Sequence, residues 1–213
     1  TRRRNLADEA LWLGRLTAGL MPAEPEALGL LALMLFAESR RAARRNANGY
    51  VPLAEQDVSL WDGAMIAEAE ALLRAALRCD RLGRYQLEAA IQSAHVARRA
   101  TGCTDWPAIR RLYDALLILS GSPVAAINRA IAEAEVSGPA SALAELDALA
   151  GDPRLSAYQP YWAARAGLLA RLGDGAAADA AYERAIGLER DPVVRSFLAE
   201  QRAGLAMRAP GRV

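Results

Sequence analysis

The 213-residue sequence predicts an all-α protein of about ten helices, a helical bundle running into an α-solenoid. Three observations carry that expectation. Apolar residues recur with a helical period, and no segment shows the strict alternation of a half-buried strand. Glycine and proline punctuate the chain at Pro22 and Pro25, Asn48-Gly49, Gly83, Gly102, Gly121 to Pro123, Gly138-Pro139, Gly151 to Pro153, Gly173 to Gly175 and Asp191-Pro192. The C-terminal third also carries a degenerate internal repeat, and repetition outranks single-residue signals in deciding architecture.

The N-terminal segment TRRRNLADEALWLG starts a helix almost at once. It has neither the uninterrupted apolar core nor the small-residue cleavage site of a signal peptide, and it reads as part of something longer. The longest apolar run, Ala27 to Ala37, has eleven residues flanked by Glu26 and by Glu38-Ser39-Arg40, too short for a membrane span, and is expected to be a buried core helix. An arginine cluster (Arg40, Arg41, Arg44, Arg45) and the Asn48-Gly49 turn lead into LAEQDVSLWD, residues 53–62.

Ser59 and Asp62 match an S-x-x-D capping pattern, in which side-chain oxygens satisfy the first amides of a helix. Capping leaves Gln56, Asp57 and Trp61 unexplained, so this stretch is expected to be an ordered loop pinned into the fold, or a site. Trp61 suits an anchor against the helix Leu28 to Phe36, with one hydrogen bond to donate, and Asp57 suits an acceptor of turn amides. From Met65, one apolar stripe (Met65, Ile66, Ala69, Leu72, Leu73, Ala76, Leu77) opposes Glu68, Glu70, Arg74 and Arg78, which predicts an amphipathic helix. Ile109, Leu112, Tyr113, Leu116 and Leu117 repeat the pattern after Asp105-Trp106-Pro107, where Asp caps and Pro fits the first turn. The reading divides the chain into an N-terminal helical part, 1–80, and helical repeats, 81–213, in one continuous domain.

In the repeats, Trp162, Ala166, Leu169, Gly173, Ala178, Tyr182 and Ala185 precede a closing Pro192. The spacing resembles the tetratricopeptide pattern, in which small residues let two helices approach and aromatics fill the space between them. Shifted back by 36 residues, Ala130 matches Ala166, Ala142 matches Ala178 and Leu146 matches Tyr182; Tyr113 and Pro123 repeat the separation of Tyr182 and Pro192. Aromatics at these spacings read as core.

Composition removes several classes of function. The 26 basic residues are all arginine against 25 acids, so the net charge of +1 supplies no field for non-specific nucleic-acid binding. The arginine pairs, Arg98-Arg99 and Arg110-Arg111 among them, read as solvated faces or as cations at helix ends. Cys79 and Cys103 lack metal or redox spacing; they read as small hydrophobes and point to a reducing, cytoplasmic location. His95 is the single histidine, expected to be packed on its helix beside Ala94 and Ala97. Nucleophile elbows, phosphate loops and dinucleotide fingerprints are absent from the sequence, and neither an enzyme, a metal nor a cofactor is expected. A hydrolase centred on His95 and Asp57 would need both side chains in one cleft, and their separation is expected.

Three segments together, LAEQDVSLWD (53–62), TDWPAIRRLYDALL (104–117) and SPVAAINRAIAEAEVSGPASAL (122–143), resemble the carboxy-terminal extension of a group of bacterial extracytoplasmic-function RNA polymerase sigma factors. The family pattern runs Q-D-R-S-x-W-D, then D-T-D-W-x-x-I-x-x-L-Y-D, then S-P-V-x-x-L-N-R-A-x-A. This chain keeps Gln56, Asp57, Ser59, Trp61 and Asp62 of the first, and Thr104, Asp105, Trp106, Ile109, Leu112, Tyr113 and Asp114 of the second. It keeps Ser122, Pro123, Val124, Asn128, Arg129 and Ala130 of the third. It departs from the pattern at Val58, Cys103 and Ile127, so any contact made by the usual arginine at position 58 is lost here.

The resemblance implies a regulatory module of such a sigma factor, touching the sigma core domains of the same polypeptide or RNA polymerase and modulating promoter-specific initiation. Arg2 to Arg4 would end the linker from the second DNA-binding domain, and the segment itself would bind neither DNA nor membrane. A small DGPF-domain protein is the implied further partner. Interaction or loop-anchoring residues are expected among Gln56, Asp57, Ser59, Trp61, Asp62, Asp105, Trp106, Tyr113, Asp114, Asn128 and Arg129. The rival reading is a free-standing helical-repeat scaffold or ligand-binding protein.

Overall fold

The computed structural model describes residues 2–47 and 49–208, with side chains described from Leu6 to Ala206 apart from Asn48. The side chains of Arg2 to Arg4, and the Asn48 half of the expected Asn48-Gly49 turn, lie outside the described residues.

Among the described residues the fold is all-α. The helices are α1 (Arg2–Leu20), α2 (Pro25–Ser39), α3 (Gly63–Leu77), α4 (Arg84–Val96), α5 (Arg98–Thr101) and α6 (Trp106–Ser120), followed by α7 (Pro123–Val136), α8 (Pro139–Ala148), α9 (Gln159–Leu172), α10 (Gly175–Leu188), α11 (Pro192–Ala203) and α12 (Leu205–Arg208). Strand is confined to two residues each in β1 (Arg45–Asn46) and β2 (Gly49–Tyr50). No described helix is long and apolar enough to cross a membrane.

The helix starts follow local chemistry. Asp62, Asp105, Asp174 and Asp191 each accept a backbone amide from the first turn of α3, α6, α10 and α11. Such a cap satisfies donors that the helix cannot pair internally. Proline occupies the first turn of α2, α7, α8, α9 and α11, where its missing amide has no partner to lose.

The chain forms two compact units, one made of residues 1–46 and 51–120 and the other of 47–50 and 121–213. The division therefore falls at Ser120–Gly121 and not after residue 80, because α4 packs on α2 and α6 packs on α4. Burial of those faces ties α4 to α6 into the first unit.

In the first unit, α2 is the central helix, packed by α1, α3 and α4. Leu28, Leu31, Ala32, Leu35 and Phe36 are its buried face, as the apolar run predicts. Gly29 lets α4 approach closely: a Cβ there would lie 2.7 Å from the Gln86 amide nitrogen. Glu26 then caps α4, accepting the amides of Tyr85 at 3.0 Å and Gln86 at 3.2 Å. The fully buried Gln86 is satisfied at both ends, accepting from Gly83 N at 2.9 Å and donating to Ala76 O at 2.9 Å.

The second unit contains consecutive helical hairpins, α7–α8 and α9–α10. Ala130 and Ala142 are fully buried in one core cluster with Leu146, and Ala166 and Ala178 are fully buried in the next with Tyr182. The 36-residue correspondence seen in sequence is thus a correspondence of packing position. Tyr161 supplies the buried aromatic of the first cluster, its hydroxyl donating to Leu146 O at 3.3 Å, while Trp162 is only half-buried. On α11, Arg202 forks onto Asp179 of α10 at 2.6 and 2.8 Å, and Phe197 meets Tyr50 edge-on at 5.4 Å.

Candidate functional site

Residues 53–62 form two short 3-10 turns, Leu53–Glu55 and Val58–Leu60, before α3. The loop is divided into an inner and an outer face. Trp61 is buried in the core cluster that contains Leu28, Leu31, Leu35 and Phe36, as expected of an anchor. Gln56 is also buried, and its amide donates to Val51 O at 3.2 Å. Asp57, Ser59 and Asp62 face outward with Glu55 and Leu60.

The capping expectation is corrected in one respect. Asp62 alone caps α3, accepting Ala64 N at 2.9 Å and Met65 N at 3.0 Å. Ser59 lies within the second 3-10 turn and donates its amide to Asp57 Oδ1 at 2.8 Å. Hydrogen bonds from Ser59 hold the exposed Asp57 carboxyl below its ordinary range. Asp62 adds a main-chain tie, its amide donating to Ser39 O at 2.8 Å.

The residue that fastens this loop is Arg98, on α5. Its guanidinium stacks over the Trp61 ring, 4.9 Å from the centroid. It also donates to Leu53 O at 2.6 Å, Ala54 O at 3.0 Å and Gln56 O at 3.0 Å. A planar fork reaches three carbonyls and an aromatic face together, which an ammonium group does not do. Two buried atoms beside it, Trp61 Nε1 and Gln56 Oε1, and its own Nε lack a hydrogen-bond partner. The indole hydrogen bond expected of Trp61 is therefore not made.

His95 stands one helical turn before Arg98 and meets Trp106 edge-on, with centroids 5.5 Å apart and planes at 81°. Burial, then the positive charges of Arg40 and Arg98, push its imidazole down to about 4. It is neutral at physiological pH. Arg40 is itself buried and donates to Gln92 Oε1. Segment 95–98 thus joins two of the three sequence motifs, gripping Trp61 with Arg98 and packing against Trp106 with His95.

The arrangement is a clasp of a half-buried cation on a buried aromatic, under a polar outer loop. Among the described residues no group of three or more His, Cys, Asp or Glu side chains is placed to hold a metal.

The other expected residues are distributed elsewhere. Asp105 is exposed and caps α6 through Ala108 N at 2.9 Å. Tyr113 on α6 is largely shielded, and burial with the Glu88 charge pushes its phenol up to about 12. Asp114, also on α6, is half-buried. Asn128 and Arg129 belong to the second unit, where Arg129 pairs with Glu145 to join α7 to α8.

The reading of arginine pairs as solvated faces is corrected at Arg98 and Arg40. Arg98 is drawn in by main-chain carbonyls of an irregular loop, which no side-chain pattern reports, and Arg40 by the Gln92 side chain on α4. Cys103 is exposed, unlike a core residue, because it follows Gly102 in a turn after α5; Cys79 is half-buried.

Residues 1–77 match the model of a family of unknown function (DUF6596). The chain is 44% identical, over 203 residues, to an uncharacterized protein of Rhizobium meliloti (strain 1021). The match covers 95% of this chain and 48% of that protein, so the chain spans about half the length of the curated relative it matches. No solved structure matches.

Proposed function

We propose that this chain is the regulatory extension of an extracytoplasmic-function RNA polymerase sigma factor, a module with tetratricopeptide-like helix pairs that modulates promoter-specific initiation. It acts through contacts with the sigma core domains of the same polypeptide or with RNA polymerase, and a small DGPF-domain protein is a further candidate partner. The observation that carries the reading is the loop of the first motif: Gln56 and Trp61 are buried while Asp57, Ser59, Leu60 and Asp62 face solvent. A loop fastened from beneath presents its outer side chains without the ordering cost that a flexible loop would meet on binding.

The outer face supplies the test. Leu60 is 51% exposed, so Leu60→Asp leaves the core intact. In the full-length parent, this variant is expected to melt as the wild type does and to change transcription from the target promoter several-fold. Unchanged transcription at equal protein levels counts against contact through this loop. A parent reading frame without a helix-turn-helix domain would favour the scaffold reading.

A further inference from the structure

The 53–62 loop is closed from beneath by side chains whose hydrogen-bonding capacity the protein does not use up. Trp61 is 2% exposed and Gln56 8%. Yet the indole Nε1 and the amide Oε1 have no protein partner, and neither has Nε of Arg98. One guanidinium brings the three together: it lies over the Trp61 ring, 4.9 Å from the centroid, while its Nη2 donates to the Gln56 carbonyl at 3.0 Å. A buried polar group left unpaired forfeits the bonds it made to solvent in the unfolded chain, so three around one guanidinium call for a common partner.

The donor and acceptor chemistry selects that partner. The Gln56 amide has a fixed orientation, because its Nε2 donates to Val51 O at 3.2 Å and a carbonyl accepts only from an N–H, so the acceptor Oε1 is the free end. Trp61 Nε1 and Arg98 Nε each carry a hydrogen and accept nothing. A cation would meet two N–H groups. A halide or carboxylate would accept from both but would set its negative charge against Gln56 Oε1. Only a group that accepts twice and donates once satisfies all three.

We propose that Trp61, Gln56 and Arg98 bind one buried water molecule, which accepts from Trp61 Nε1 and Arg98 Nε and donates to Gln56 Oε1. About three hydrogen bonds are the usual complement of a buried water, and the bond from the guanidinium is charge-assisted. Gln56 and Trp61 are then the acceptor and the donor of one site. The water closes the loop onto Arg98 through side chains, beside the direct bonds to the Leu53, Ala54 and Gln56 carbonyls. It holds the loop irrespective of what the outer face contacts, so this site and the transcriptional role are tested separately.

The experiment is nuclear magnetic resonance on the nitrogen-15-labelled full chain, with the Trp61 indole signal assigned by its loss in Trp61→Phe. The indole proton is expected to show an Overhauser cross-peak to water that has the sign of the diagonal in the laboratory frame and the opposite sign in the rotating frame. That pair of signs marks a long-lived water rather than proton exchange. Gln56→Met removes the acceptor and is expected to weaken the cross-peak about threefold or more, whereas a relay through a neighbouring hydroxyl would survive it. The wild-type spectrum tests the proposal even where Gln56→Met fails to fold. No such cross-peak at Trp61 overturns the proposal, as does one that Gln56→Met leaves unchanged. So does a shift of the indole signal when sodium chloride replaces sodium sulfate at equal ionic strength, which would make the occupant an anion.

Discussion

Arg98 holds Trp61 and the loop in front of it through one guanidinium group, with the ring centroid at 4.9 Å and three carbonyls of residues 53–56 at 2.6–3.0 Å. The cost of desolvating the cation is offset because its stacking surface and most of its donors are used. Arg98→Ala leaves three carbonyls to find other donors and is expected to lower stability by about 2–3 kcal/mol in urea denaturation. Arg98→Lys should recover less than half of that loss. Hydrogen exchange at the amides of Gln56 to Trp61 should rise in both variants, and a protected loop in Arg98→Ala would contradict the clasp.

Trp61→Ala empties a core position that is only 2% exposed. The expected loss is roughly 3–5 kcal/mol, the usual range for a buried large aromatic. A variant with wild-type stability would remove the anchoring role.

His95 gives the protein an acid sensitivity whose sign is fixed by its depressed pKa. Above pH 6.5 it is neutral in both folded and unfolded chains and contributes no pH dependence. Between pH 6.5 and about 4 the unfolded chain takes up a proton that the folded chain excludes, so stability falls as pH falls. The full effect is on the order of 3 kcal/mol. Carboxylates titrate in the same window, so the comparison is with His95→Gln, which should lose less stability from pH 7 to pH 4 by about that amount. Equal losses would show that burial of the neutral imidazole is not the cause.

The helix content and the inward direction of Trp61 were legible because each rests on side-chain periodicity or size. Ala130, Ala142, Ala166 and Ala178 are fully buried where the spacing places them. The clasp was not legible, since the acceptors of Arg98 are main-chain carbonyls of an irregular loop. The first unit's extent was hidden too: it depends on Gly29 admitting the α4 backbone, and a glycine inside an apolar run gives no sign of which helix approaches it. Ser59 was misplaced because an S-x-x-D pattern does not reveal a 3-10 turn, Val58–Leu60, that takes up the serine itself.

Ala166 and Ala178 share a fully buried cluster between α9 and α10. Replacing either with leucine overpacks the hairpin and should cost on the order of 1–3 kcal/mol in thermal or urea unfolding. Ala130→Leu should behave alike in the preceding hairpin. Neutral substitutions at both sites would break the equivalence of the repeats.

The central claim is that this chain regulates a sigma factor from within the same polypeptide. Its most direct measurement is transcription from the target promoter by the full-length parent and by a parent lacking residues 1–213, with protein levels held equal in a reporter strain. The account predicts that deletion changes promoter output several-fold while a promoter of an unrelated sigma factor is unaffected. Equal output from the two proteins would contradict it.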